Sequence, residues 1–481
     1  MVEAKIWETT EKLISGEKID NPGFNNPDVS KQIAADWINQ ENEEKGILVE
    51  QQSNKLKKAI TDYFGKRDLS KKILQIQPIY YDVNKIWWIW EHNKFKWKMV
   101  DETDILNFVR ILSTYNTVKS KDKAEILEAL KQESRLNKPK EIKQTWVQFR
   151  DLIIDVLTGE EIKASPEYFV TNPISWSLHK ERFIETPIID RIFEEWVGKE
   201  HIKTLYQIIA YSIIPSYPIH RLFCLIGSGM NGKSCFLRLL SKFVGEDNCT
   251  STELDTLLSS RFEVTRLHKK LVCIMGETNF SEISKTSIIK KLTGQDTIGF
   301  EYKNKNPFED LNYAKIFIAT NNLPTTTDKS IGFYRRWLII DFPNQFSEKK
   351  DILSEIPEEE FEILAVKSLF ILKELLDEKE FHNEGTIEER AKKYEDKSNF
   401  FDKFWLENII EDYDSYITVN DFTKKLEAFC RNNKQRTLSP KDINEKMTDK
   451  GVKQDRPYME WYENDKSIKK QVRAWMGIKW K

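Results

Sequence analysis

Cysteine is scarce in this chain of 481 residues, with only Cys224, Cys235, Cys249, Cys273 and Cys430. They stand far apart and none shows C-x-x-C spacing, which argues against a disulfide framework or a cysteine zinc site and fits a reducing compartment. Histidine is nearly as rare, with six isolated residues. No apolar segment opens the sequence and no run of about 18 apolar residues occurs, so neither export nor a membrane span is expected. The expectation is a soluble, intracellular (cytoplasmic) protein with no membrane partner. An excess of one charge is missing too: 75 Lys plus Arg against 77 Asp plus Glu leave a net charge of −2. Any contact with nucleic acid must therefore be local. Aromatic residues are plentiful, with 14 Trp, 16 Tyr and 27 Phe, enough to build the cores of the roughly two to four domains that this length implies.

The most informative stretch is 221–243, RLFCLIGSGMNGKSCFLRLLSKF. Leu222 to Ile226 reads as a buried strand, and Phe236, Leu237, Leu239, Leu240 and Phe243 recur at helical spacing. Between them lie Gly227, Ser228, Gly229, Met230, Asn231, Gly232, Lys233 and Ser234, the G-x-x-x-x-G-K-S spacing of a phosphate-binding loop. Such a loop turns backbone N–H groups and the positive end of the following helix toward an anion. Lys233 would reach the β- and γ-phosphates of ATP, and the Ser234 hydroxyl would hold Mg²⁺.

Residues 1–75 are polar with helical patterning and carry no nameable chemistry. From 73 to 100 the pattern becomes strand-like, and Ile86–Trp90 and Phe95–Met99 flank a turn over 91–94, a hairpin signal. Its interleaved Trp and Lys suit either one buried face or a platform for stacking bases. Helical periodicity returns over 101–137, a strand and turn follow near 146–159, and 188–214 is helical again. Beyond the phosphate loop, Leu271–Met275 is a second apolar strand running into Gly276 and Glu277. A helix near 288–293, a basic extended segment over Phe300–Lys305, a third strand Ala314–Thr320 ending at Asn321-Asn322, and a fourth at 338–342 after Arg335-Arg336 complete the pattern. Alternating strands and helices with polar residues at the strand ends predict an α/β core with a parallel sheet and its site at one edge. A charged helical pair is expected over 349–397. Two helices and two strands over 398–481 suit either a winged-helix-like unit or a plain helical cap.

Taken in order, GSGMNGKS, MGE, KKLTGQD, AKIFIATNNLP and GFYRRW resemble the superfamily 3 helicases, in the branch of phage and plasmid primase-helicases that includes the poxvirus primase-helicase. The likeness runs over about 75–480 and divides the chain into a helical region 1–75, an α+β accessory domain 76–187, an AAA+ type P-loop ATPase core 188–348, a helical linker 349–397 and a winged-helix-like domain 398–481. It implies a hexameric ring with ATP between subunits and one DNA strand in the channel. By this resemblance Glu277 polarises the attacking water, Asn321 senses the γ-phosphate, and Arg335 or Arg336 reaches a neighbour's site. Local sequence alone also permits a strand-end acid, a turn-forming Asn pair and a surface Arg pair at these positions. Tyr302, Lys303 and Lys305 fall where the family lines its channel, with charge for phosphates and a ring for bases. One departure is Gly276, where a second, Mg²⁺-associated acid often stands.

The expected activity is that of an ATP-driven, ring-forming replicative DNA helicase of a virus, phage or plasmid-like element. Its partners would be single-stranded or forked DNA and a separate primase or polymerase, since no paired metal-binding carboxylates on a β-scaffold precede residue 75. An ATP-switched origin-binding or loading ring, or an RNA-remodelling or packaging motor, would use the same core.

Overall fold

In a computed structural model the described residues are 66–112, 120–178, 185–276, 282–283, 285–303, 305–347, 351–398, 400–432, 437–463 and 466–481. Most of the N-terminal region expected to be helical, and Glu277, lie outside them.

Helix α1 (Lys66–Ile76) leads into an antiparallel sheet of β1 (Ile79–Tyr81), β2 (Trp87–Glu91) and β3 (Lys96–Val100). The hairpin expected from the Trp-rich stretch is present, with Trp90 opposite Trp97. Alternation sends Trp87 and Ile89 to one face, against α1, α2 (Glu102–Leu112) and α3 (Ser120–Arg135). Trp88, Trp90 and Trp97 go to the other, among the residues of a second core. Both faces are thus covered and all four indoles are buried. The stacking-platform alternative fails here, because a base has no exposed ring to lie on. A second small sheet, β4 (Trp146–Phe149), β5 (Leu152–Asp155) and β6 (Glu161–Lys163), completes this unit.

Helices α4 (Pro187–Val197) and α5 (Ile202–Ser212) precede the central sheet. Its strands are β7 (Leu222–Ile226), β8 (Cys249–Ser251), β9 (Val272–Met275), β13 (Lys315–Thr320) and β15 (Trp337–Asp341), in the spatial order β15-β7-β13-β9-β8. Every neighbouring pair is parallel. Strands buried on both faces must be apolar, as LFCLI is throughout and WLIID is up to Asp341 at its end. One face packs on α5, α6 (Lys233–Val244) and α11 (Glu358–Glu378). The other packs on α7 (Leu254–Ser259), α8 (Arg261–Val264), α9 (Thr286–Leu292), α10 (Ile331–Tyr334) and α12 (Ile387–Ser398), together with β10 (Glu282–Ile283).

Between β9 and β13 the chain makes an antiparallel hairpin, β11 (Thr297–Phe300) with β12 (Phe308–Leu311). The segment read as extended is therefore the tip of a hairpin. The short β14 (Thr325–Thr326) pairs with β10.

The accessory unit is fastened to the sheet's far end. Lys96 Nζ lies 2.9 Å from an Asp247 carboxylate oxygen and Lys94 Nζ 3.2 Å from it, while Asn172 Nδ2 donates to Asn248 Oδ1 at 3.0 Å.

The C-terminal unit runs α13 (Phe400–Asn408), β16 (Ile409–Thr418), α14 (Val419–Asn432), α15 (Pro440–Asp449), β17 (Gln454–Asp455), a hairpin of β18 (Tyr458–Glu463) and β19 (Lys466–Gln471), then β20 (Ala474–Trp480). Its sheet has the order β16-β20-β17, over a core containing Phe404, Phe422 and Trp475. Among the described residues no helix is long and apolar enough to cross a membrane.

Candidate functional site: a phosphate-loop cleft

The loop after β7 is shaped by two glycines that no other residue can replace without displacement. A Cβ on Gly227 would sit 1.7 Å from Asn231 Nδ2 and 2.6 Å from the Phe342 carbonyl oxygen. Gly232 has φ 91°, and a Cβ there would meet the Trp196 indole at 2.5 Å. Asn231 Nδ2 donates to the Phe342 carbonyl at 3.1 Å. This bond ties the loop to the chain leaving β15.

A strap formed by residues 342–347 continues the tie. Phe346 N–H donates to Met230 O at 2.7 Å, Gln345 Nε2 donates to Ser228 Oγ at 3.1 Å, and Asn344 Nδ2 reaches the Glu195 carbonyl at 2.7 Å. Nothing in the sequence of the strap marks it, because its function is carried by backbone and amide groups.

Helix α6 starts at Lys233 with no side chain capping its N-terminus. Its first N–H groups are left to an external acceptor, at the positive end of the helix dipole. Lys233 is buried, its Nζ donating to Gly227 O at 2.5 Å and Asn231 Oδ1 at 2.9 Å. It also lies 3.5 Å from Asn321 Oδ1. Register explains this meeting: Thr320 stands beside Ile226 on the adjacent strand, so Gly227 and Asn321 leave the sheet together. Asn321 also belongs to a tight turn, with Thr320 Oγ1 bonded to Asn322 O at 2.7 Å. The two local readings of that position, turn former and site residue, are compatible.

These groups line one cleft of about 1370 Å³, whose walls include Gly229 to Ser234, Gly276 and Asn321 on one side and Arg191, Phe346 and Leu353 on the other. The volume is generous for a small molecule with three phosphates. Ser234 lines the cleft with an exposed side chain, which fits an Mg²⁺ ligand open to solvent. Among the described residues no group of three His, Cys, Asp or Glu could hold a metal by itself.

The two arginines stand at the other end of the sheet. Trp337 pairs with Leu222 and Asp341 with Ile226, so Arg335 and Arg336 precede the strand edge opposite the phosphate loop. A five-residue strand, about 16 Å, separates them from it. Arg336 is buried and spends its guanidinium internally: Nε donates to Thr293 Oγ1 at 2.8 Å, Nη2 to the Lys290 carbonyl at 3.2 Å, and Nη1 to the Gly332 carbonyl. Burial, and then the neighbouring Arg335, lower its pKa below the usual guanidinium value. Arg335 is half-buried, and its Nε has no hydrogen-bond partner among the described residues. Of the two, Arg336 is the one held by its own chain.

Tyr302, Lys303 and Lys305 lie at the tip between β11 and β12, outside the cleft. Lys303 is exposed and Lys305 partly so. Tyr302 is engaged by its own chain. Its hydroxyl lies 2.8 Å from His268 Nδ1, and its ring stacks on Phe308 at 5.9 Å with planes 18° apart. Desolvation raises the pKa of the phenol. His268 Nε2 lies 3.1 Å from Asp310, which Lys269 also approaches at 2.8 Å. These polar ties, invisible in the sequence, brace the hairpin on the core.

The fold and site define a class: an α/β protein with a five-stranded parallel sheet and a glycine-rich loop at its carboxyl edge, opening into a cleft. Within it, residues 225–336 match DUF5906, a family of unknown function. Over 144 residues the chain is 28% identical to the putative helicase L207/L206 of Acanthamoeba polyphaga mimivirus, a stretch covering 28% of this chain and 15% of the mimivirus protein. The chain thus spans a small part of that relative. Among solved structures, the A form apo structure of the NrS-1 C-terminal region is 14% identical, covering 85% of this chain and 98% of that one with a TM-score of 0.43. A second apo structure of that region (305–718) is 14% identical, covering 86% and 100%, with a TM-score of 0.44.

Proposed function

We propose that this chain is an ATP-hydrolysing motor of the superfamily 3, AAA+ type that assembles as a ring, a homo-hexamer, and moves single-stranded DNA during replication of a virus, phage or plasmid-like element. The observation that carries the reading is the approach of Lys233 to Asn321, residues 88 apart in sequence, at the mouth of adjacent parallel strands. A fixed cation and a neutral amide then face one anion site, the first to bind the β- and γ-phosphates and the second to orient a water. The mimivirus putative helicase supports the same direction.

ATP would lie along the N-terminus of α6, with Mg²⁺ on Ser234 neutralising charge between the phosphates. Glu277 follows directly on β9 and Gly276, and is proposed as the group that polarises the water. Arg335 is proposed as the residue that enters a neighbour's cleft: it stands a strand's length from its own phosphate loop, so it would act only between subunits. Lys303 and Lys305 would hold phosphates of the translocated strand. Tyr302 would stiffen that tip, with one face of its ring already against Phe308. The helix and strand order of 398–481 supports a winged-helix-like unit, and a separate primase or polymerase would extend the unwound strand.

The test is strand displacement on forked DNA with ATP and Mg²⁺, by the parent and by Lys233→Ala. The parent should unwind, and the variant should neither hydrolyse ATP nor unwind. Hydrolysis without displacement would favour a loading ring, and undiminished unwinding by the variant would remove this cleft as the motor.

A further inference from the structure

The C-terminal unit divides its charge unevenly. Helix α15 buries Ile443 and Met447 and turns outward Lys441, Glu445 and Asp449, while Asp442 closes its capping box. Its remaining lysine, Lys446, lies 5.6 Å from the Phe401 ring centroid, and Lys450 at its C-cap pairs with Asp402 at 2.7 Å. Its exposed face therefore offers a polyanion one uncommitted cation beside carboxylates. The root of the β18–β19 hairpin is the reverse. Lys453, Arg456, Lys470 and Arg473 are all exposed, and among the described residues their side chains have no carboxylate partner.

Backbone register gathers these cations. Asp455 pairs with Ala474 and Met459 with Lys470, and Val472 N–H donates to Pro457 O at 3.1 Å. Arg456 and Arg473 consequently stand across from each other, a like-charged juxtaposition that is unfavourable unless an anion lies between them. Asp455 is spent locally, its carboxylate accepting the Arg456 backbone N–H at 2.8 Å. Tyr458, opposite Gln471, is 68% exposed at the same root. Alternation puts Lys470, opposite Met459, on the other face of the hairpin from Tyr458. The root thus carries the facing Arg456 and Arg473 near an open aromatic ring, with Lys453 and Lys470 flanking it. Charge for the backbone and a π-face for a base are the composition of a single-strand contact.

We infer that the hairpin root formed by Lys453, Arg456, Lys470, Arg473 and Tyr458 is a binding site for single-stranded nucleic acid, and that α15 does not read duplex DNA. The site is separate from the proposed motor cleft and needs no nucleotide. It is tested in the full chain without ATP, by titrating a fluorescent oligothymidylate across a range of salt concentrations. Exchanging all four cations for Gln keeps side-chain polarity at solvent positions. This variant should lose at least about tenfold in affinity near 0.1 M salt, and its log–log salt slope should become shallower by about 3, at roughly 0.7 per phosphate neutralised. Tyr458→Ala should weaken binding about fivefold or more with the slope unchanged. Lys441→Gln, on α15, should change neither. Lys233→Ala should bind as the parent does, so a failed motor and a failed strand site give different results. Parent affinity and slope in the four-cation variant would overturn the inference, as would a loss confined to blunt duplex.

Discussion

Arg335 and Arg336 are neighbours in sequence with opposite circumstances in space, and substitution should separate them. Arg336→Ala removes the donor to Thr293, Lys290 and Gly332 at once, leaving buried acceptors unsatisfied; a loss of about 2–4 kcal/mol is expected from urea unfolding. Arg335→Ala should unfold within about 0.5 kcal/mol of the parent, bind ATP, and hydrolyse it about 10³- to 10⁵-fold more slowly. If Arg335→Ala keeps parental turnover, the intersubunit role is wrong. A pH effect belongs to this scale as well. Burial pushes the His92 imidazole from 6.5 down to about 4, so the unfolded chain takes up this proton more readily than the folded one. Stability from keeping His92 neutral is whole above pH 6.5 and is lost as pH falls toward 4, by at most about 3 kcal/mol. His92→Gln should lose less stability than the parent between pH 7 and pH 4.5 in paired urea titrations. Individual site residues were legible where chemistry restricts the side chain, as at Lys233 and Ser234. The choice between the arginines was not legible, because it depends on which carbonyls the fold turns toward each.

At the scale of elements, the hairpin of β11 and β12 carries the next prediction. The double variant Lys303→Ala, Lys305→Ala should keep basal ATP hydrolysis and lose stimulation by single-stranded DNA, with the salt slope of binding shallower by about 0.7 for each phosphate no longer held. Steady-state hydrolysis with and without DNA measures it, and unaltered stimulation would exclude this tip. Four strands of the parallel sheet were readable because burial on both faces demands continuous apolar runs; the edge strand β8, the short and partly exposed CTS, was not. Strands β12 and β16 were not, since FEDL and IIEDYDSYIT are rich in acids. Pairing with β11 and β20 holds them extended where hydrophobic pattern gives no signal. The Trp-rich hairpin was placed well and its role narrowed, from two alternatives to a sheet buried on both sides. At the phosphate loop, Gly232→Ala should cost about 2 kcal/mol or more, since φ 91° is unfavourable for alanine and its Cβ meets Trp196. Urea unfolding would check it.

On the scale of the whole molecule, order along the chain and order in space disagree at the centre of the sheet. Strand β7, which carries the phosphate loop, has β13 on one side and β15 on the other, with Phe223 beside Phe317 and Leu222 beside Trp337. No alternation of residues in the sequence announces which strand will be central, so the topology was open until the register was seen. The consequence is temporal. When β7 emerges during synthesis, neither of its partners exists, and an unpaired, wholly apolar strand must wait about a hundred residues for both edges to be covered. Closing loops of that size precedes any reward from the pairings they allow, which slows folding and leaves the strand open to wrong partners meanwhile. The Trp-rich hairpin ahead of it pairs strands that follow each other directly, with Trp90 opposite Trp97, and has no such delay. Refolding should therefore be at least biphasic, with Trp burial preceding the recovery of ATP binding, and chains ending before Asp341 should aggregate rather than yield a smaller nucleotide-binding protein.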